Sequence, residues 1–322
     1  MKIFIAALAF TLIAAASRAE VQFRETRFVF ASVEQGRQIL ANRDDFVQRL
    51  SSFDRAARLK KESEVSEAEF LNYAATNTLE FNERENDFIE SHLQRLKPQF
   101  DAFKLPWPKT IYIIKTTGNE EGGAAYTRAN AIVLPAGKLL PENKEPMDRL
   151  LCHELFHILS RQNPALKEAL YGVIGFQKCN EIPFPPNLVR ITNPDAPKND
   201  HWIELTANGK RVSAIPILFA NAKTYGSKNG GEFFNYLTFK FLIVQKSGPD
   251  GSMVTYDAQK PILFDPGQAE GFFEQVGRNT QYIIHPEEIL ADNFALLFSA
   301  KKEAKSPEVL ARIRKALEEF GR

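Results

Sequence analysis

The 322-residue chain is short of the residues that announce much specialised chemistry, with only two cysteines and five histidines. Two cysteines are too few for a disulfide-stapled scaffold or an all-cysteine zinc module. Charge of one sign is missing too: 41 Lys and Arg stand against 40 Asp and Glu, with no Lys/Arg block. The chain therefore has no electrostatic footprint for nucleic acid. It contains no internal repeat and no low-complexity tract. With 44% hydrophobic and 25% charged residues it has an ordinary globular composition, which excludes disordered and collagen-like chains. No apolar run reaches the roughly 20 residues that a membrane-spanning helix needs.

The one extended run of low polarity, Ile3 to Ala16, follows Lys2 and precedes Ser17-Arg18-Ala19. Small residues at the −3 and −1 positions of a cut before Glu20 complete the pattern of a secretory signal peptide over residues 1–19. The expectation is a secreted or periplasmic protein with no stable membrane anchor after cleavage. Its mature charge is close to neutral, because the segment removes Lys2 and Arg18 and no acid. In an oxidising compartment Cys152 and Cys179 form a candidate disulfide. Such a bond is worth about 2–4 kcal/mol; two buried free thiols are the alternative.

From Gly36 to Leu96 the apolar residues recur with helical period. Ile39, Leu40, Phe46, Val47, Leu50, Phe53 and Leu59 mark one stretch. Ser66 and Glu69 have the spacing of a capping box and open a second stretch carrying Phe70, Tyr73, Phe81 and Phe88. Pro98 and Pro106-Trp107-Pro108 close this region. The expected division is an N-terminal helical region over 20–105 and a catalytic domain over 106–322. The latter begins with strands, Thr110–Ile114 and a hairpin of Ala124–Thr127 with Ala131–Leu134. A helix follows from near Pro146 to Gln162, then a mostly β insertion over about 181–265. Three further helices are expected, around Ala269–Val276, from Pro286 to about Ala300, and from Pro307 to Phe320. The fold class is α+β.

Two of the five histidines fall in His153-Glu154-Leu155-Phe156-His157. Histidines four apart on a helix project about 40° from each other, so both can hold one ion. Leu150, Leu151, Leu155, Phe156, Ile158 and Leu159 surround them with apolar side chains on nearly every face, the pattern of a buried helix. Burying His, Glu and His there without partners would cost several kcal/mol, and a metal satisfies them. With His153 and His157 on one zinc ion, Glu154 stays free to act as general base toward a zinc-activated water. A third protein ligand is needed. Pro286 at a helix start puts Glu288 and Asp292 one turn apart on a common face. Glu288 can then bind the metal while Asp292 orients a ligating histidine. Glu287, Glu168 and Glu181 are rival third ligands. His285, Tyr282 and Tyr225 are candidate stabilisers of an oxyanion. His92 and His201 have no metal spacing with any neighbour.

These two helices, His153-Glu154-x-x-His157 and Glu288-x-x-Ala291-Asp292-x-Phe294, resemble those of the gluzincin group of zinc metallopeptidases. The resemblance covers roughly residues 110–162 and 285–300. It implies a zincin-like core, with His153, His157 and Glu288 as ligands of one zinc ion, Glu154 as base and Asp292 behind a ligand. It also implies an antiparallel edge strand above the metal, on which a peptide or protein substrate adds as a further strand. The hairpin before the motif helix is similar in position. The 130 residues between His157 and Glu288 exceed what compact members use. Two other functions stay open: a non-catalytic zinc-stabilised binding protein on the same fold, and a metal-dependent cell-wall amidase.

Overall fold

The computed structural model describes residues 21–140, 146–227, 231–247, 252–298 and 304–321. The signal-peptide expectation over residues 1–19 lies outside them.

Residues before Pro106 do more than form helices. Strands β1 (Gln22–Phe23) and β2 (Thr26–Phe30) precede helix α1 (Val33–Leu40), α2 (Ser52–Arg58) and α3 (Glu67–Thr76). Strand β3 (Thr78–Leu79) and helix α4 (Glu83–Asp101) follow. Each of the four helices starts at a reciprocal capping box: Ser32 with Gln35, Ser51 with Asp54, Ser66 with Glu69 and Asn82 with Glu85. Caps of this kind contribute about 1 kcal/mol each, and they divide the long periodic stretch into separate helices. Pro98 does not end α4, which runs three residues further with the proline inside it.

Strand β4 (Thr110–Thr116), edge strand β5 (Tyr126–Arg128) and β6 (Ala131–Pro135) come next. The first sheet runs β1-β2-β4-β6-β5, with β3 alongside β4. Strands β2, β4 and β6 are mutually parallel, and β5 pairs antiparallel with β6. The expected boundary near residue 105 is therefore no domain junction, since β2 hydrogen-bonds directly to β4 across it. Both faces of the sheet are covered. Ile111, Ile113, Ile132 and Leu134 point into the main core, while Ile114, Ala131 and Val133 meet Leu40 of α1 and Ala74 of α3. That explains the nearly continuous apolar sequences of β4 and β6.

Helix α5 (Met147–Gln162) carries the His-Glu-x-x-His pattern, and α6 (Pro164–Val173) follows at once. A second sheet then forms from β7 (Phe176–Lys178), β8 (Val189–Arg190), β9 (His201–Ala207), β10 (Lys210–Ala220), β11 (Leu237–Ser247), β12 (Met253–Thr255) and β13 (Leu263–Phe264). Its order is β12-β11-β10-β9-β7, with β8 on β10 and β13 on β11, all pairs antiparallel. The chain ends in helices α7 (Phe272–Val276), α8 (Pro286–Phe298) and α9 (Pro307–Phe320). The architecture is α+β. One apolar core joins Leu151, Leu155 and Phe156 of α5 to Leu290 and Phe294 of α8, Ile313 of α9, and Ile203 and Phe241 of the second sheet. Among the described residues no helix is long and apolar enough to cross a membrane.

The candidate disulfide is absent. Cys152 and Cys179 are both free and buried. Cys152 packs in the main core with its helix, and Cys179 packs with Trp202 and Ile215 against the second sheet.

Candidate metal centre

Helix α5 is apolar on nearly every face and passes through the core, so its polar residues need partners inside the protein. Those partners come from α8. The two helices pack through Phe156 and Phe294, whose ring centroids are 5.5 Å apart. At the start of α8, Nδ1 of His285 accepts the Glu287 backbone N–H at 3.1 Å, one of the donors that a helix start leaves unpaired. This start sets Glu287, Glu288 and Asp292 against the histidine face of α5.

The two histidines are held in the same way. His153 Nδ1 meets Asp292 Oδ1 at 3.1 Å, and His157 Nδ1 meets Glu287 Oε1 at 3.2 Å. A carboxylate only accepts, so each Nδ1 carries the proton, which leaves both Nε2 atoms for a common third group. That group is Glu288 Oε2, 3.2 Å from His153 Nε2 and 3.6 Å from His157 Nε2. Ligands about 2.0–2.1 Å from a tetrahedral zinc are roughly 3.4 Å apart, between these two distances. His157 Nε2 is buried without a hydrogen-bond partner, the kind of orphaned atom that a cation would satisfy. Two imidazole nitrogens and one carboxylate are a donor set suited to zinc, and His153, His157 and Glu288 each offer an atom within 4.8 Å of the others.

The electrostatics favour positive charge at this point. Burial works to lower His153 and His157, but the surrounding carboxylates outweigh it. Asp292 and Glu288 raise His153 well above its usual value; Asp195, Glu288 and Glu287 raise His157 to about 9. Burial works to raise Glu287 and Asp292, yet their histidine partners bring each down to about 2. Glu288 is lowered against its burial by His157 and His153. Without metal, then, the site holds protons where a dication would sit, and metal binding releases them. Glu154 behaves differently. Burial first, and then the Asp195 carboxylate, raise it to about 8, and its Oε2 is buried without a partner.

The other predicted residues scatter. Tyr282 lines the cleft of about 650 Å³ that also contains His153, Glu154, Glu288 and Asp292. His285 does not line it; its Nε2 is 3.3 Å from the Lys198 carbonyl while Nδ1 caps α8, so neither nitrogen is free for an oxyanion. Tyr225 lies in a separate apolar cluster and donates to the Gly231 carbonyl at 2.8 Å. Of the rival ligands, Glu168 is 3.0 Å from His201 Nε2, and Glu181 forms a two-bond ion pair with Arg49. Glu287, read from sequence as a rival ligand, is buried behind His157 and also accepts from Ser160 Oγ (2.9 Å) and Tyr171.

Two contributors went unforeseen. Asn193 donates from Nδ2 to Glu288 Oε1 at 2.6 Å. Asp195 lies close enough to Glu154 and His157 that the three offer atoms all within 4.8 Å. Both residues are in the loop between β8 and β9, where no period or spacing ties them to α5. Comparisons with family models, curated proteins and solved structures give no match. The site stands on its own geometry.

Proposed function

We propose that the protein is an exported zinc-dependent peptidase that hydrolyses peptide bonds, with a zincin-like core formed by the first sheet, α5 and α8. The observation that carries this reading is the convergence of His153 Nε2 and His157 Nε2 on Glu288 Oε2, with Glu154 beside them and unbonded at Oε2. Zinc held by those three residues would supply a Lewis acid that polarises the scissile carbonyl and makes water acidic enough to ionise near neutral pH.

The chain's own residues supply the rest. Asp292 and Glu287 fix the tautomer and direction of the ligating imidazoles. Glu154, which a neighbouring dication would lower from its raised value of about 8, is the base that would take a proton from the attacking water and hand it to the leaving amine. Tyr282 is the one of the three oxyanion candidates that faces the cleft. Strand β5 is one of the two edge strands of the first sheet, and a peptide adding there would present its backbone to the site.

Zinc content and cleavage of a mixed peptide library test the reading together. Near-stoichiometric zinc is expected in both wild type and Glu154→Gln, with cleavage in wild type alone. A protein that binds no zinc, or a Glu154→Gln variant that still cleaves, overturns it.

A second reading is a metal-stabilised binding protein without turnover, favoured by Asp195, which lines the cleft, and Asn193, which holds Glu288. It predicts that chelation lowers thermal stability while no peptide is cleaved. The unbonded Glu154 Oε2 favours the peptidase, because a purely structural site has no use for a base.

A further inference from the structure

Edge strand β5 pairs with β6 through Tyr126, Thr127 and Arg128. On its other side the Thr127 backbone N–H points away from the sheet, where an added strand would place a carbonyl oxygen. A side chain of the protein already occupies that place. Asp195 Oδ1 accepts from Thr127 N at 2.8 Å and from Thr127 Oγ1 at 2.5 Å.

The same loop also reaches the candidate metal ligands. Asn193 Nδ2 donates to Glu288 Oε1, and Asn193 Oδ1 accepts the Asp195 backbone N–H at 2.9 Å. Three residues thus bridge a strand edge and a metal ligand. Asp195 lines both the cleft of about 650 Å³ and a neighbouring cavity of about 340 Å³.

The loop's ends are fastened to elements that do not belong to the site. Thr192 N donates to Asp54 Oδ1 at 3.1 Å, and its carbonyl accepts from the buried Arg58 guanidinium at 2.9 Å. Arg58 in turn forms an ion pair with Asp54 and a two-bond pair with Glu121. At the other end Asn199 Nδ2 donates to the Pro216 carbonyl at 3.0 Å. Next to it Lys198 is held by its carbonyl on His285 Nε2 at 3.3 Å and by its Nζ on Asp45 at 2.7 Å, and residues 193–196 are tied to the site through the side chains of Asn193 and Asp195.

We infer that Asn193–Asp195 is an internal occupant of the substrate's place, with Asp195 Oδ1 standing where a bound peptide's carbonyl oxygen would accept the Thr127 N–H. The inference rests on the peptidase reading for the identity of the substrate. A peptide can add to β5 only when this segment lifts away, and its anchored ends, with Pro197 on Arg190 and Lys198 on His285 and Asp45, confine that movement to residues 193–196. The loop is thus a competitor that lowers the affinity of every peptide by the same factor, since it takes a backbone donor and no side-chain pocket.

The test uses the zinc-loaded full chain and a short peptide hydroxamate. Asp195→Ala removes the competing acceptor and is expected to bind the hydroxamate about tenfold more tightly than wild type. Asp195→Asn, which keeps an acceptor oxygen and the side-chain shape, is expected to gain less. In wild type, hydrogen exchange across residues 193–196 should rise when the hydroxamate binds while the anchoring Thr192 amide and the Thr127 amide stay protected, a measurement that needs no variant. Unchanged or weaker hydroxamate binding by Asp195→Ala, or wild-type exchange at 193–196 that stays level or falls on binding, overturns the inference. If Asp195→Ala binds tenfold more tightly yet neither protein cleaves any peptide, the loop assignment stands and the peptidase reading falls.

Discussion

Two pairs of histidines lie on either side of the Tyr171 ring, and they use the same chemistry to opposite ends. His201 and His285 have every ring nitrogen engaged. His201 sits between Asp200 Oδ1 at 2.7 Å and Glu168 Oε2 at 3.0 Å, and His285 between the Glu287 N–H and the Lys198 carbonyl. His153 and His157 are each held at Nδ1 by a carboxylate, and their Nε2 atoms converge on one carboxylate oxygen, His153 Nε2 at hydrogen-bond distance and His157 Nε2 without a partner. Tyr171 lies between the pairs, its ring centroid 4.4 Å from His201 and its hydroxyl on Glu287. Carboxylates surround both pairs, so acidity does not distinguish them. What does is where the second nitrogen points: in the α5 pair both Nε2 atoms face one carboxylate oxygen, and in the other pair the ring nitrogens go to separate partners.

The largest expected contrast is in catalysis. Glu154→Gln should lower peptide cleavage by about 10²–10⁴-fold, the usual contribution of a general base, with zinc retained. Glu168→Gln, beside the other pair, should leave cleavage within a factor of two. Comparable losses in the two variants, read from steady-state rates, would erase the distinction.

Metal content gives the next contrast. His157→Ala should abolish stoichiometric zinc, while His201→Ala keeps it, as read by elemental analysis after dialysis. His201→Ala should still lower stability, by about 1–3 kcal/mol, because it takes one of two partners from the buried Asp200, which keeps Lys178. Loss of zinc from both variants would mean that the two regions are one site.

A smaller effect is expected behind the ligands. Asp292→Asn and Glu287→Gln should each weaken zinc binding by about 10–100-fold, measured by competition with a chromophoric chelator. Asp200→Asn should leave the zinc affinity unchanged.

The smallest contrast lies in the pH dependence of the metal-free protein, and it has opposite signs in the two pairs. His157 is raised to about 9. Its contribution to stability is complete below the unfolded value near 6.5 and is lost as pH rises through 9. His285 is lowered to about 4 by burial first and then by Lys167. Its contribution is present above 6.5 and is lost as pH falls toward 4. Zinc should remove the alkaline limb alone, and His285→Gln the acidic limb alone, in thermal melts across pH 4–10.

Sequence reading reached the parts of the site that are local. Helix α5 begins one residue after Pro146 and ends at Gln162 as expected, because its boundaries and its histidine spacing lie within one window. The start of α8 was legible for the same reason, and so was the Ser66 capping box. Parallel pairing of β2 with β4 was not, because Arg27 and Thr110 are partners across more than 80 residues and neither strand carries a mark of the other. Glu287 had a partial signal. It adjoins Glu288, and Ser160, one turn beyond His157, lies on the face it meets; those neighbours could have suggested an orienting carboxylate over a rival ligand. Asn193 and Asp195 had none, since a Pro-containing loop reads as a turn whatever it later covers.

The central claim is that one zinc ion sits between α5 and α8. Crystallography of the zinc-loaded protein with anomalous scattering at the zinc edge tests it most directly. One peak is expected, about 2.0–2.2 Å from His153 Nε2, His157 Nε2 and a Glu288 oxygen. A peak among Glu154, His157 and Asp195 instead, or no peak near α5 at full zinc loading, would contradict it.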